Sequence, residues 1–233
     1  MRVLSTPFDG KLLAYSIPLM LVTILQTFMH WMDILMLGYF TDASVVGLYH
    51  PAARTAGLLQ ALLISFISIY APMMSQLHGK GDFGEMSRLY KLVSRWLITF
   101  SIPISLVFIL YPTKVMLLFG PNYIDSACVL VLLTIATFIQ TAFGAAGPVL
   151  SMSGYTRLVL WNSLGAFILN LVLNIIFIPK FGIVGAAWAT LISMTALALA
   201  RIIEVQLILK LSFFSSRLYK PLLAGLVTSF CIL

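Results

Sequence analysis

Charge is what this chain has least of. Lys, Arg, Asp and Glu make up 9% of its 233 residues, against roughly a quarter in a soluble domain. Acids are the scarcer sign, seven against fourteen bases. With 61% hydrophobic residues and a mean hydropathy of +1.06, the chain reads as an integral membrane protein. There are two cysteines, Cys128 and Cys231, each inside an apolar run, which excludes a disulfide framework or a thiolate metal site. His30 and His50 lie in no catalytic or metal-ligating spacing, no extended loop bears paired acids, and no Gly-rich phosphate loop follows a strand. No enzymatic chemistry, metal or cofactor is therefore expected.

What is present is a series of long apolar runs. Taking about 20 apolar residues as one crossing, they fall near 12–40, 48–77, 92–111, 126–152, 158–178 and 183–209, and a last run starts near 218. These predict an all-α membrane protein: a six-helix transmembrane lobe over residues 12–209, preceded by a short segment, 1–11. Residues 210–233 then supply a loop and the start of a further helix. That seventh run reaches Leu233 after about 16 residues, too few at ~1.5 Å each to cross a ~30 Å hydrocarbon core, so it is expected to be truncated. The first run is longer than a signal-peptide core and has no small-residue cleavage site, so it is expected to be retained.

Alternating the crossings puts Arg2, Lys11, Lys80, Arg88, Lys91, Arg157, Lys210, Arg217 and Lys220 on one side and only Lys114 and Lys180 on the other. The basic side is expected to be cytoplasmic, with the N-terminus there, in the cytoplasmic membrane. Because the bases are spread over several short loops without interleaved exposed aromatics, nucleic acid is not an expected partner.

The candidate site begins in the first helix. Gln26, His30 and Asp33 follow one another at spacings of four and three, with Thr23 a turn earlier, so they share one face. An ionisable group at membrane depth costs about 2.5–3.5 kcal/mol even on the lenient scale, so that face is expected to meet other helices or a wet cavity. Arg54 lies as far beyond the turn at Thr41 to Gly47 as Asp33 lies before it, which puts both at similar depth. Either the two form a fixed buried pair or Arg54 serves a ligand. Arg54 also heads a stripe of small and weakly polar residues, Ala61, Ser65, Ser68, Pro72 and Ser75. Further on, Ser163, Asn170 and Asn174 share a face and need interhelical or cavity partners. Thr134, Thr137 and Thr141 read as packing or as cavity lining, and Arg201 with Glu204 as a local surface pair. Gly79 to Lys91 reads as a solvated loop that turns at Gly79, Gly81 and Gly84 and enters a helix with an amphipathic start at Met86, Leu89, Tyr90 and Val93.

Several segments carry a family resemblance. Ile17-Pro18-Leu19, the run from Trp31 to Phe40 and Val46-Gly47-Leu48-Tyr49 resemble the opening of the C-terminal lobe of oligosaccharide (polysaccharide) flippases. Phe119-Gly120-Pro121-Asn122-Tyr123, Gly154-Tyr155-Thr156-Arg157 and Leu173 through Ala187 are similar to later signatures of the same family, in the same order. The resemblance implies the multidrug, oligosaccharidyl-lipid and polysaccharide exporter superfamily, in which two six-helix lobes enclose a cavity that opens alternately to the two sides. It implies a lipid-linked oligosaccharide substrate, membrane lipid as surroundings, and a missing N-terminal lobe or partner half. Arg54, with Gln26, Asn170 and Asn174, would then bind substrate, and Asp33 and His30 would couple transport to a proton or sodium ion. The alternatives are a multidrug or metabolite exporter lobe and a non-transporting scaffold fragment.

Overall fold

The computed structural model describes residues 10–211, and the predicted seventh helix lies outside them. Helix α1 spans Gly10–Phe40. After a short turn, α2 (Ala43–Ala56) continues past Gly57 into α3 (Leu58–Lys80), and α4 covers Phe83–Leu110. Two short elements follow, α5 (Pro112–Leu117) and a 3-10 turn (Pro121–Ser126), then α6 (Ala127–Phe143), α7 (Ala146–Met152) and α8 (Thr156–Ile208). No strand occurs among the described residues. The chain is an all-α, multi-pass membrane protein, with five stretches long and apolar enough to cross a membrane.

The last of these stretches is two crossings. Gly182 has φ 56° and ψ −131°, a conformation only glycine adopts without strain, and it folds α8 into two arms. Each arm has about 26 residues and is ~39 Å long. The arms can close because Gly185 has no side chain: a Cβ there would lie 2.3 Å from the Phe177 carbonyl oxygen. Five stretches thus give the six rods the sequence predicts.

The polar loop expected over Gly79 to Lys91 is nearly all helix. Gly81, at φ 70°, ends α3, and Asp82 starts α4 by accepting a 3.0 Å hydrogen bond from the Glu85 amide. The start of α4 is amphipathic, and its apolar side points inward: Met86 and Tyr90 are fully buried. Similarly, α2 begins at Ala43, so the turn after α1 is shorter than the pattern of the sequence suggested.

Most of the apolar core is in two pieces, one towards each end of the bundle, with a small third cluster of Met29, Ala166 and Leu197. Towards the turns at Thr41 and Gly182, Leu37, Tyr49, Leu59, Met116, Leu130 and Ile178 pack together. Towards the opposite end, Tyr70, Met74, Met86, Tyr90, Leu150 and Val205 do the same. Ala52, Ala56, Ala186, Ala187 and Ala189 are also buried, letting backbones approach where side chains would hold them apart. Between and beside these cores the helices leave space for polar groups.

Candidate functional site

Asp33 is 5% exposed and lies in the last third of α1, about two turns before its end. Three neutral donors from three other segments surround its carboxylate. Tyr49 Oη–H donates to Oδ2 at 2.6 Å from α2, Thr190 Oγ1–H donates to the same oxygen from the second arm of α8, and Asn174 Nδ2 donates to Oδ1 at 2.9 Å from the first arm. A further ring of bonds fixes the donors. Asn174 Nδ2 also reaches Asn170 Oδ1 at 3.1 Å, and Asn170 Nδ2 donates to Thr190 Oγ1 at 3.3 Å.

The chemistry of this cluster follows from its donor set. No cation lies within ion-pairing distance of this carboxylate: the one ion pair among the described residues is Arg88 with Glu85, on the surface. Asn174 Oδ1 is buried without a donor beside that carboxylate. The arrangement offers oxygens to a hard cation, or a carboxylate to a proton. No group of three His, Cys, Asp or Glu side chains exists among the described residues, so nothing here has the make-up of a transition-metal site.

Asp33 and Tyr49 form the inner end of a half-open cavity of about 440 Å³ between α1, α2, the start of α3, α6 and α8. Its other wall is basic and aromatic, with His30, Trp31, His50 and Arg54. Arg54 does not meet Asp33. Its guanidinium stacks on the Trp31 ring, 5.3 Å from the centroid, and its Nε–H donates to His50 Nε2 at 3.3 Å. The reading of Asp33 and Arg54 as a fixed pair is therefore corrected: Arg54 meets α1 at the Trp31 ring, while Tyr49 is the α2 side chain that reaches Asp33. Arg54 is exposed, as are Ala61, Ser65, Ser68, Pro72 and Ser75 below it. The hydroxyls of Ser65 and Ser68 bond backward to carbonyls of their own helix, at 2.8 Å each, so this face is weakly polar and internally satisfied.

A second cavity, about 310 Å³, lies beyond the first towards the start of α1, and Met194 lines both. Gln26 is on its wall, so the stripe Gln26, His30, Asp33 serves two spaces and not one. A 2.9 Å hydrogen bond from Gln60 Nε2 to Gln140 Oε1 spans the boundary, Gln60 lining the first cavity and Gln140 the second. Arg201 also lines the second cavity, and the expected surface pair with Glu204 is not formed. Arg201 Nη2 donates to Ser163 Oγ at 3.2 Å, while Glu204 accepts from Asn162 Nδ2. Asn170 and Asn174, expected on a substrate wall, are 1% and 0% exposed and spend their amides on the Asp33 cluster.

Comparison with known proteins fits this architecture. The profile of a family described as "Polysaccharide biosynthesis protein" matches residues 5–128. The chain belongs to that family, as the segments from Ile17 to Tyr49 suggested. A Haloferax volcanii protein named as a probable low-salt glycan biosynthesis flippase is 28% identical over 167 residues, covering 71% of this chain and 35% of that protein. A second H. volcanii protein, named as a probable flippase, is 28% identical over 176 residues with the same coverage. An uncharacterized membrane protein of Methanocaldococcus jannaschii is 26% identical over 229 residues, covering 96% of this chain and 45% of its own length. Among solved structures, a MATE transporter in a bent conformation superposes with a TM-score of 0.65 at 22% identity, over 93% of this chain and 51% of that one. A transporter of the MOP superfamily from Pyrococcus furiosus gives 0.63 at 22% identity, over 92% and 50%. The chain thus has the fold of half a transporter of that superfamily and spans about a third of the length of its two H. volcanii relatives.

Proposed function

We propose that residues 12–209 form one six-helix lobe of an exporter that moves lipid-linked oligosaccharide across the cytoplasmic membrane by alternating access, and that a second lobe completes it. The observation that carries this reading is the first cavity, with an anion-seeking Arg54 at its exposed wall and a carboxylate without a cation at its inner end. Arg54 attracts the diphosphate of the carrier, in which a planar guanidinium suits two phosphate oxygens at once. Gln26 offers hydrogen bonds to the headgroup or sugar from the neighbouring space. Asp33 takes up the coupling proton or sodium ion, with His30 at the cavity wall as an accessory titrating group. Asn170 and Asn174 serve by holding Asp33 and giving it oxygen company.

Support for a second lobe comes from the exposed face of α1 to α3. Thr23, Thr27, Ser65 and Ser68 make that face weakly polar, and the exposed charge of Arg54 beside them is what suits it to another lobe or a wet passage and not to lipid. Excess Lys and Arg around one set of loops supports a cytoplasmic N-terminus. The names of the H. volcanii relatives support the glycan-lipid substrate.

Deleting the gene tests the proposal. Surface polysaccharide should disappear while its lipid-linked precursor accumulates on the cytoplasmic leaflet, and re-expression together with the complementary lobe should restore export. Unchanged polysaccharide, or loss of the precursor itself, would overturn it.

A further inference from the structure

The second cavity holds a cation that the proposed mechanism leaves unused. Arg201 sits about two turns before the end of α8, and its Nε is buried with no hydrogen-bond partner. Its Nη2 is anchored to Ser163, itself fully buried. The guanidinium lies against Gly147, where a Cβ would come within 3.1 Å of Nη1 and 3.5 Å of Cζ, so a missing side chain makes the slot that seats it. The acid that should neutralise it, Glu204, is one turn away but is held by Asn162 and makes no ion pair with it.

A half-buried guanidinium with a buried idle donor, whose one nearby acid is held out of ion-pair contact, has donor capacity left for an anionic ligand. The space in front of it defines that ligand's shape. Leu19, Val22, Leu63, Ile67 and Phe143 make most of the wall apolar, and the polar groups are Arg201, Gln26, Gln140 and Ser151. Such a space fits an amphiphile whose head is a compact anion and whose tail is hydrocarbon.

We propose that Arg201 is a second anion site, which seats the phosphate or diphosphate of an isoprenyl-type lipid carrier in the half of the lobe nearest the start of α1. The inference rests on the lipid-linked substrate reading and extends it. Arg201 receives the head on the basic side, Arg54 holds it nearer the opposite side, and the Gln60 to Gln140 bond with Met194 stands between the two stations.

Alkylation of single cysteines tests it in the full chain, with Cys128 and Cys231 replaced by serine. Met152→Cys reports on the second cavity and Ala61→Cys on the first, each challenged with N-ethylmaleimide. Farnesyl diphosphate should slow labelling of the cysteine at 152 about tenfold, as charge-assisted hydrogen bonds to phosphate would. Farnesol should not, Arg201→Gln should abolish the protection, and Arg201→Lys should return part of it in equally monodisperse protein. Equal protection by inorganic pyrophosphate would mean a free anion occupies the site, and equal protection by phosphatidylglycerol would mean bulk lipid does; either overturns the assignment. Protection at 61 but not at 152 sinks the Arg201 site and leaves the transporter reading intact, whereas protection at neither position sinks both.

Discussion

The Tyr49 hydroxyl and the Asp33 carboxylate, 16 residues apart in sequence, are joined by a 2.6 Å hydrogen bond that ties α2 to α1 across the turn between them. Tyr49 is 2% exposed and Asp33 5%, so neither has water to fall back on. Tyr49→Phe keeps the shape and removes one of the donors that make the buried charge tolerable. It should cost about 1.5–3 kcal/mol, the range for a hydrogen bond to a charged group. Thermal unfolding in detergent, compared with Tyr39→Phe at an exposed site, measures it; equal melting temperatures would show that the bond contributes nothing.

Asp33→Asn separates the fold from the coupling. An amide can still accept from Tyr49 and Thr190, so the protein should purify and melt close to wild type, while uptake driven by a sodium or proton gradient in vesicles should be lost. Transport that keeps its gradient dependence in this variant would remove Asp33 from the coupling role.

Arg54 and Trp31 make a stack whose strength is about 0.5–2 kcal/mol, depending on how dry it is. Trp31→Leu frees the guanidinium, and Arg54→Lys keeps a charge without the planar fork. Both should weaken binding of a diphosphate-bearing lipid by several-fold, and Arg54→Gln by more than either. Isothermal titration calorimetry reads this out in all three variants; affinities equal to that of the wild type would count against Arg54 as the anion ligand.

The turn in α8 depends on glycine twice. Gly185→Ala would put a methyl carbon 2.3 Å from the Phe177 carbonyl oxygen, backbone that cannot swing away, and Gly182→Ala would strain a residue at φ 56°. Backbone strain of that kind costs on the order of 1–3 kcal/mol. Both variants should lower the yield of monodisperse protein, the one at 185 more severely, while Gly165→Ala, with open space around it, should not.

Gln60 and Gln140 form the polar link at the boundary between the two cavities. Replacing either with leucine strands the other amide in a half-buried setting, whereas replacing both with leucine leaves nothing unsatisfied. A double-mutant cycle on thermal stability should therefore show coupling of about 0.5–1.5 kcal/mol. Additive single effects would mean the bond is incidental.

Much of the architecture was legible in the chain itself. Apolar runs of membrane length are bound to become helices, because lipid offers backbone amides no other partner. Periodicity then put Gln26, His30 and Asp33 on one side of α1, and all three do line internal space. Glycine and proline at 179–185 marked the reversal inside what is otherwise one 53-residue stretch. These signals are local, set by spacings of a few residues along one helix.

Partners were another matter. That Asp33 meets Tyr49, Asn174 and Thr190 and not Arg54, that Arg201 turns inward to Ser163 while Glu204 goes to Asn162, and that Asn170 and Asn174 face a carboxylate and not a substrate wall all depend on how each helix is rotated about its own axis. Rotation is fixed by packing across separations of 16 to 157 residues, through small residues that have no signature beyond their size. Residue order dictates which groups must be sheltered from acyl chains; the angle at which the helices pack dictates which of them shelter one another.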